Sequence, residues 1–196
     1  MLRSLRPVLF LAGWLLALAG AAAAEPAPGW WRQLELRDLQ GAPAAPSGRW
    51  LVVVFLSPEC PVANAELPVL NALAREFAPQ GFAFAGAYAD PGIAVDVLRR
   101  HATDSGLAFL AVDDRAQRLA HAIEAKYTPE AFVFSRDGAL LYRGRIDDRV
   151  SGFGPARPKA TRENLRDVLA ALASGQPGPF PNQPGFGCSL PEPVKP

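Results

Sequence analysis

The chain predicts an α/β domain in which a mixed sheet of about five strands carries helices on both faces. Three observations support that expectation. Trp50–Leu56 is almost wholly apolar and rich in β-branched residues, the pattern of a central strand buried on both faces. Directly after it, Val62, Ala65, Val69, Leu70, Leu73, Ala74 and Phe77 recur at helical spacing. Beyond that helix, apolar runs and helical patterns alternate, which argues for a parallel core with right-handed crossovers.

Residues 1–24 stand apart from this domain. Arg3 and Arg6 give a basic start, Val8–Ala19 is apolar, and Ala22-Ala23-Ala24 offers a small-residue cleavage site. The segment reads as a secretory signal peptide cleaved near Ala24, too short for a comfortable membrane span. A periplasmic or secreted mature chain, without a stable membrane span, is therefore expected. Losing Arg3 and Arg6 takes the formal net charge from +1 to −1. A chain so close to neutral gives no support for nucleic-acid or polyanion binding. Export also places the two cysteines, Cys60 and Cys188, in an oxidising compartment where they can pair.

Residues 25–174 read as one domain, and no internal repeat is visible. Leu34–Leu39 alternates apolar with polar, as a half-exposed strand does, and ends at Gly41. Ala42–Arg49 is a Pro/Gly loop leading into the central strand. After the helix from Pro61 to about Phe77, Phe82–Tyr88 is a second buried strand, bounded by Gly81 and the Asp90-Pro91-Gly92 turn. Ile93 to about Ala102 has helical periodicity, Leu107–Val112 is a strand, and Ala116–Ala125 is a helix. Ala131–Phe134 and Ala139–Arg145 flank Arg136-Asp137-Gly138, a hairpin signal. Ile146–Ala160 is a loop rich in Gly, Pro and charge. The last helix, Arg162–Ala173, puts Leu165, Val168, Leu169 and Leu172 on one face and stops at Gly175.

Half of the residues in the tail, 175–196, are Gly or Pro, so it forms neither helix nor central strand. It nevertheless carries Phe180, Phe186 and Leu190 around Cys188, and is expected to dock on the domain.

Cys60 falls where the central strand ends and the helix begins, with Pro61 suited to the first helical turn. The positive end of the helix dipole and the unpaired N–H groups there favour a thiolate. A buried, inert cysteine is the plainer alternative. Against it stand Pro61, the proline eight residues on at Pro68, and the pair Thr128-Pro129 ahead of a strand. Together these residues resemble the active-site helix and proline loop of thioredoxin-fold proteins. The run Ser57-Pro58-Glu59-Cys60-Pro61 further resembles the redoxin branch that includes the thiol-specific antioxidant (alkyl hydroperoxide reductase C) proteins, with Ser57 at the Thr/Ser position.

Two departures separate the chain from that pattern. Val53 stands where the peroxidase signature has proline, and Ala63 where a Cys-x-x-Cys pair would have its second thiol. The resemblance, over roughly residues 34–172, implies a thioredoxin-like three-layer fold with a docked C-terminal tail. It implies that Thr128–Pro129 is cis and lies against Cys60. It also implies an arginine near the thiol, for which Arg162 is the best match by chain order, with Arg145 and Arg157 as rivals. Glu59 is expected to face solvent, where its charge does not oppose a thiolate.

Cys188 has two readings: a thiol that resolves a bond formed at Cys60, or half of a permanent staple. The staple would close a loop of about 128 residues, worth on the order of 4 kcal/mol by loop-entropy arithmetic. His101 and His121 form no ligand spacing with a cysteine and are expected on helix faces or the surface. One cysteine at the motif also leaves out the dithiol that copper-delivery relatives need, and no metal or organic cofactor is implied. The expected function is that of an exported thiol–disulfide oxidoreductase acting on a protein disulfide or thiol. The alternatives are a thiol peroxidase acting on a hydroperoxide, and a redox-inert binding module stapled by Cys60–Cys188.

Overall fold

The computed structural model describes residues 30–150 and 157–192. The expected leader, the centre of the Ile146–Ala160 loop and the last four residues lie outside them. The first element is not the expected strand but a helical turn, α1 (Trp30–Gln33), with both tryptophans buried. Trp31 Nε1 donates to Ala44 O at 2.8 Å, which anchors the turn to the following loop. Glu35 then adopts a left-handed φ of 49°, and Asp38 Oδ1 accepts from Gln40 and Ala42 N–H. These turns shorten the strand at Leu34–Leu39 to β1 (Arg37–Asp38).

The central strand is β2 (Trp50–Leu56), as its apolar run requires. It leads through a short turn into α2 (Pro61–Phe77), where Cys60 is the N-cap and Pro68 lies inside the helix. β3 (Phe82–Tyr88) pairs parallel to β2 along its whole length, Trp50 opposite Phe82 and Leu56 opposite Tyr88. α3 is Val95–Asp104, and Asp90 Oδ1 holds the preceding turn through Gly92 N–H. β4 (Leu110–Asp113) pairs parallel to β3 and antiparallel to β1. α4 is only Arg118–Ala122, because Gln117 and Glu124 on either side have left-handed φ of 56° and 53°. The Asp114 carboxylate accepts from Leu119 and Ala120 N–H and so fixes where α4 starts.

β5 (Tyr127–Thr128) precedes Pro129, and the Thr128–Pro129 bond is cis, as expected. β6 (Ala131–Ser135) pairs antiparallel to β2 and, through the Asp137-Gly138 turn, to β7 (Leu140–Gly144). α5 (Asn164–Ala173) closes the domain, and β8 (Cys188–Ser189) pairs antiparallel to β5. The order of the six-stranded sheet is β1-β4-β3-β2-β6-β7, with β5–β8 as a separate two-stranded ribbon.

Two cores lie on the two faces of this sheet. Val52, Val54 and Leu56 face Leu67, Leu70, Leu73 and Phe77 of α2, with Leu98 of α3 and Leu165 and Leu169 of α5. Val53 and Phe55 face α1 and α4 through Trp30, Trp31, Leu119 and Ile123. The three-layer α/β arrangement is the one expected. Leu70 is fully buried against β2, so Leu70→Ala is expected to lower unfolding free energy by about 2–5 kcal/mol in urea denaturation. A cost under about 1 kcal/mol would mean that α2 packs more loosely on the sheet than its burial indicates.

Candidate active site

β2 delivers its C-terminal end to the start of α2, and Cys60 caps that helix. Its backbone is extended (φ −92°, ψ 108°), and its sulfur accepts from Ala63 N–H at 3.5 Å. The preceding turn is tight. Cys60 N–H donates to Ser57 O at 3.2 Å, and Glu59 N–H donates to Ser57 Oγ at the same distance. Glu59 points to solvent, as expected. Cys60 itself is buried, and its thiol donates to Thr128 O at 2.9 Å. The residue before the cis proline therefore touches the sulfur through its carbonyl.

Cys188 reaches the same place from the tail. Register in the β5–β8 ribbon sets Thr128 opposite Cys188, and Leu190 N–H donates to Lys126 O at 2.9 Å. Both cysteines are free, with Cys188 Sγ donating to Cys60 Sγ at 2.7 Å. Burial pushes the Cys188 thiol up to about 11, aided by its hydrogen bond to Cys60 and by charge there. Gly187 is required at the crossing, since a Cβ there would stand 2.2 Å from Thr128 O and 2.9 Å from Pro129 Cδ.

The tail travels to this point along β7. Phe180 N–H donates to Leu141 O at 2.7 Å, and Gln183 N–H to Arg143 O at 3.0 Å. Arg145 Nε holds Pro184 O, and Gln117 Nε2 holds Pro191 O. The expected docking of the tail is therefore achieved mainly through backbone groups.

Of the expected site residues, the structure brings together Cys60, Cys188, Thr128 and Pro129. Arg162 is placed elsewhere. Its side chain is exposed, and its N–H and carbonyl are spent on Asp148. No hydrogen bond or ion pair among the described residues joins its guanidinium to either sulfur. The Asp148 carboxylate instead organises that loop. It accepts from the Thr161 hydroxyl, from Thr161 and Arg162 N–H and from Arg157, and these bonds hold it well below the usual carboxylate range.

The arginines beside the site are Arg145 and Arg149. A narrow crevice behind Pro129 is lined by Val62, Glu66, Arg145, Asp147 and Phe186 among others. Arg149 bridges two of its buried carboxylates, Glu66 Oε2 and Asp147 Oδ2, each at 2.7 Å. Burial raises Glu66 to about 7, and the charge of Asp147 adds to the effect while Arg149 opposes it. The sequence carried one signal for this group. Glu66 interrupts the buried stripe Ala63, Leu67, Leu70 on α2.

A strand-to-helix cysteine facing a cis-proline loop on a mixed three-layer sheet defines a thioredoxin-like redox fold. Within it the chain belongs to the AhpC/TSA family, whose profile matches residues 28–143 and whose members are thiol-based redox enzymes. No match is found among curated proteins. Among solved structures, an uncharacterized conserved protein from Geobacillus kaustophilus is 28% identical, with a TM-score of 0.71, covering 82% of this chain and 89% of that one. A secreted Mycobacterium tuberculosis disulfide oxidoreductase is 21% identical with a TM-score of 0.55, covering 71% of this chain and 98% of that one. The Xanthomonas campestris bacterioferritin comigratory protein, described with alkyl peroxide reduction activity, is 22% identical with a TM-score of 0.58, covering 80% of this chain and 100% of that one. At these identities the last two show the shared fold.

The buried carboxylate sets a pH dependence. A folded-state value near 7 against the ordinary 4.5 means that the folded chain binds the proton more tightly than the unfolded one. That contribution is complete below about pH 4.5 and is lost as pH rises through 7. Urea midpoints of wild type are expected to fall across this window and those of Glu66→Gln to fall less. Asp114, which burial raises to about 6, adds a slope of the same sign, and His101, which burial lowers, adds one of the opposite sign. An unchanged slope in Glu66→Gln would assign the dependence to other groups.

Proposed function

We propose that the protein is an exported thiol–disulfide oxidoreductase in which Cys60 is the nucleophile and Cys188 the resolving thiol. One observation carries this reading: two free cysteines meet at 2.7 Å where a helix start faces a cis-proline loop. In the first step the Cys60 thiolate attacks one sulfur of a partner disulfide. A bond forms between Cys60 and that sulfur, and the other partner sulfur leaves as a thiolate. Cys188 then gives up its proton and attacks Cys60 Sγ. This releases the second partner thiolate and leaves Cys60–Cys188 oxidised. Two electrons have passed to the partner, and an external dithiol reductant restores the pair.

The Thr128 backbone supports the partner chain in this scheme. Its pairing edge is held by Cys188 and Ser189 in the resting protein, so the tail lifts before a protein partner binds and returns to resolve.

Peroxide reduction is the second reading. In it Cys60 takes one oxygen from a hydroperoxide, an alcohol or water leaves, and Cys188 condenses with the sulfenic acid to release water. The family and its peroxide-reducing Xanthomonas neighbour favour keeping it. Val53 favours disulfide exchange. Where the peroxidase signature has proline, this chain continues a central strand paired to Ala85 on one side and Phe132 on the other. The export part of the proposal rests on the leader read in residues 1–24.

The test uses the reduced mature protein against a protein disulfide and, separately, hydrogen peroxide. Cys60→Ser is expected to abolish reduction of either. Cys188→Ser is expected to stall after the first step and accumulate the mixed disulfide, seen as a mass adduct on Cys60. A Cys60–Cys188 potential well below about −300 mV, the range of structural disulfides, would leave only a staple. Rapid peroxide consumption without disulfide reduction would reverse the ranking of the two activities.

A further inference from the structure

The turn that carries Cys60 is tied to α3 by a side-chain relay that the exchange chemistry above does not use. Asn64, one helical turn after Cys60, donates Nδ2–H to Pro58 O at 2.9 Å. Its Oδ1 lies 2.8 Å from His101 Nε2, and His101 Nδ1 lies 2.9 Å from the Tyr88 hydroxyl. Only one set of proton positions satisfies all three contacts with a neutral ring. Pro58 O accepts only, so the Asn64 amide nitrogen faces it and the amide oxygen faces the ring. That oxygen also only accepts, so His101 Nε2 carries the hydrogen. Nδ1 is then the bare nitrogen, and Tyr88 donates to it.

Burial supports this assignment. It lowers His101 against a weaker opposing charge at Asp104, and it raises Tyr88, so both stay neutral near pH 7. Tyr88 is the last residue of β3 and lies opposite Leu56, the last residue of β2. The relay therefore runs from the end of the sheet through α3 to the Cys60 turn. His101, expected from sequence to be a plain helix-face residue, is half-buried and bonded at both ring nitrogens.

We infer that His101 is a positioning residue for Cys60, acting through Asn64 on the Pro58 carbonyl. Pinning that carbonyl orients the two peptide planes between Pro58 and Cys60. Those planes set the extended backbone with which Cys60 caps α2, and hence the approach of its sulfur to Ala63 N–H. With the relay cut, the turn is held by its Ser57 bonds alone, and the thiolate loses a fixed donor. The inference rests on the reading of Cys60 as a nucleophile, but its test does not need a physiological substrate.

The experiment is alkylation of Cys60 by iodoacetamide at pH 7 in a Cys188→Ser background, followed by mass spectrometry. His101→Leu is expected to slow alkylation on the order of tenfold, the effect of losing one hydrogen bond to a charged group. His101→Gln, whose amide both donates and accepts, is expected to stay within about twofold of the parent. Tyr88→Phe reports on the far end, and a smaller slowing is expected there. If His101→Leu does not fold, Asn64→Ala cuts the same relay and is expected to show the same loss. Parental rates in His101→Leu or Asn64→Ala would overturn the inference. Equal slowing in His101→Gln and His101→Leu would also overturn it, since that pattern marks general loosening. A wild-type protein that alkylates rapidly at Cys60 yet reduces no disulfide and no peroxide would sink the functional reading and leave the relay standing.

Discussion

Thr128 is the residue on which the geometry of the site depends, because three different bonds meet there. Its hydroxyl donates to Phe55 O at 3.1 Å, its carbonyl accepts from the Cys60 thiol, and its backbone pairs with Cys188. The first of these bonds has the widest consequence. A strand apolar on both faces does not choose its own register, since a one-residue slip buries the same kind of side chain on each side. β2 is such a strand and needs polar anchors at its ends. At the start, Arg49 and Trp50 N–H both donate to Gly81 O. At the far end, Phe55 N–H donates to Glu130 O and Phe55 O receives the Thr128 hydroxyl. The residue that fixes where β2 stops is therefore the residue that touches Cys60, and strand end and proline loop cannot drift apart.

The loop around Thr128 is itself held by a buried ion pair. Glu130 Oε2 accepts from Lys126 N–H and Tyr127 N–H, while Oε1 accepts from Arg143 Nε at 2.7 Å. The Glu130 side chain is almost fully buried, so its charge needs this partner. Arg143 also donates to Glu124 O, and its own backbone groups bond Asn182 and Gln183 of the tail. One arginine thus links the proline loop to the segment that brings Cys188 in. A change at Arg143 would reach both halves of the site at once, although its side chain touches neither sulfur in any described bond.

Features with a local physical cause were legible in the sequence. The apolar run of β2, the 3.6-residue period of α2 and the Pro61 start were enough to place Cys60 at the mouth of the sheet. Thr128-Pro129 was legible only through resemblance, because its meaning depends on a contact 68 residues away. Elements set by tertiary partners were misjudged. The alternating Leu34–Leu39 became half turn, since the Trp31 anchor and the Asp38 side-chain bonds outweigh its pattern. α4 was cut at both ends by left-handed residues that no helix propensity reveals. The choice of Arg162 failed for the same reason. Chain order put an arginine at the last helix, but Asp148 captures that backbone and leaves the side chain outside. Glu66 was overlooked, and His101 was read only as a helix-face or surface residue, because a buried carboxylate and a hydrogen-bonded imidazole acquire their settings only from the groups packed against them.

The tail presents Cys188 through one short strand, β8, at the end of a segment otherwise without helix or strand. Among the described residues its docking bonds include the β5–β8 pairing, Phe180 and Gln183 N–H to β7, Arg143 N–H to Asn182, Leu190 N–H to Lys126, and the side chains of Arg145 and Gln117 to tail carbonyls. Each such bond contributes on the order of 1 kcal/mol net, and ordering a Gly/Pro-rich chain offsets part of the sum. Apolar contact from Phe180 and Leu190 adds to it, but neither side chain is fully buried. Two glycines make the close approach possible. At Gly144 a Cβ would stand 2.1 Å from Gln183 O, and at Gly187 one would meet Thr128 O. A side chain at either position would lift the tail without removing a thiol. The tail is therefore held by backbone fit more than by apolar burial. This is what the proposed exchange requires of a segment that must leave the Thr128 edge to a partner and then return.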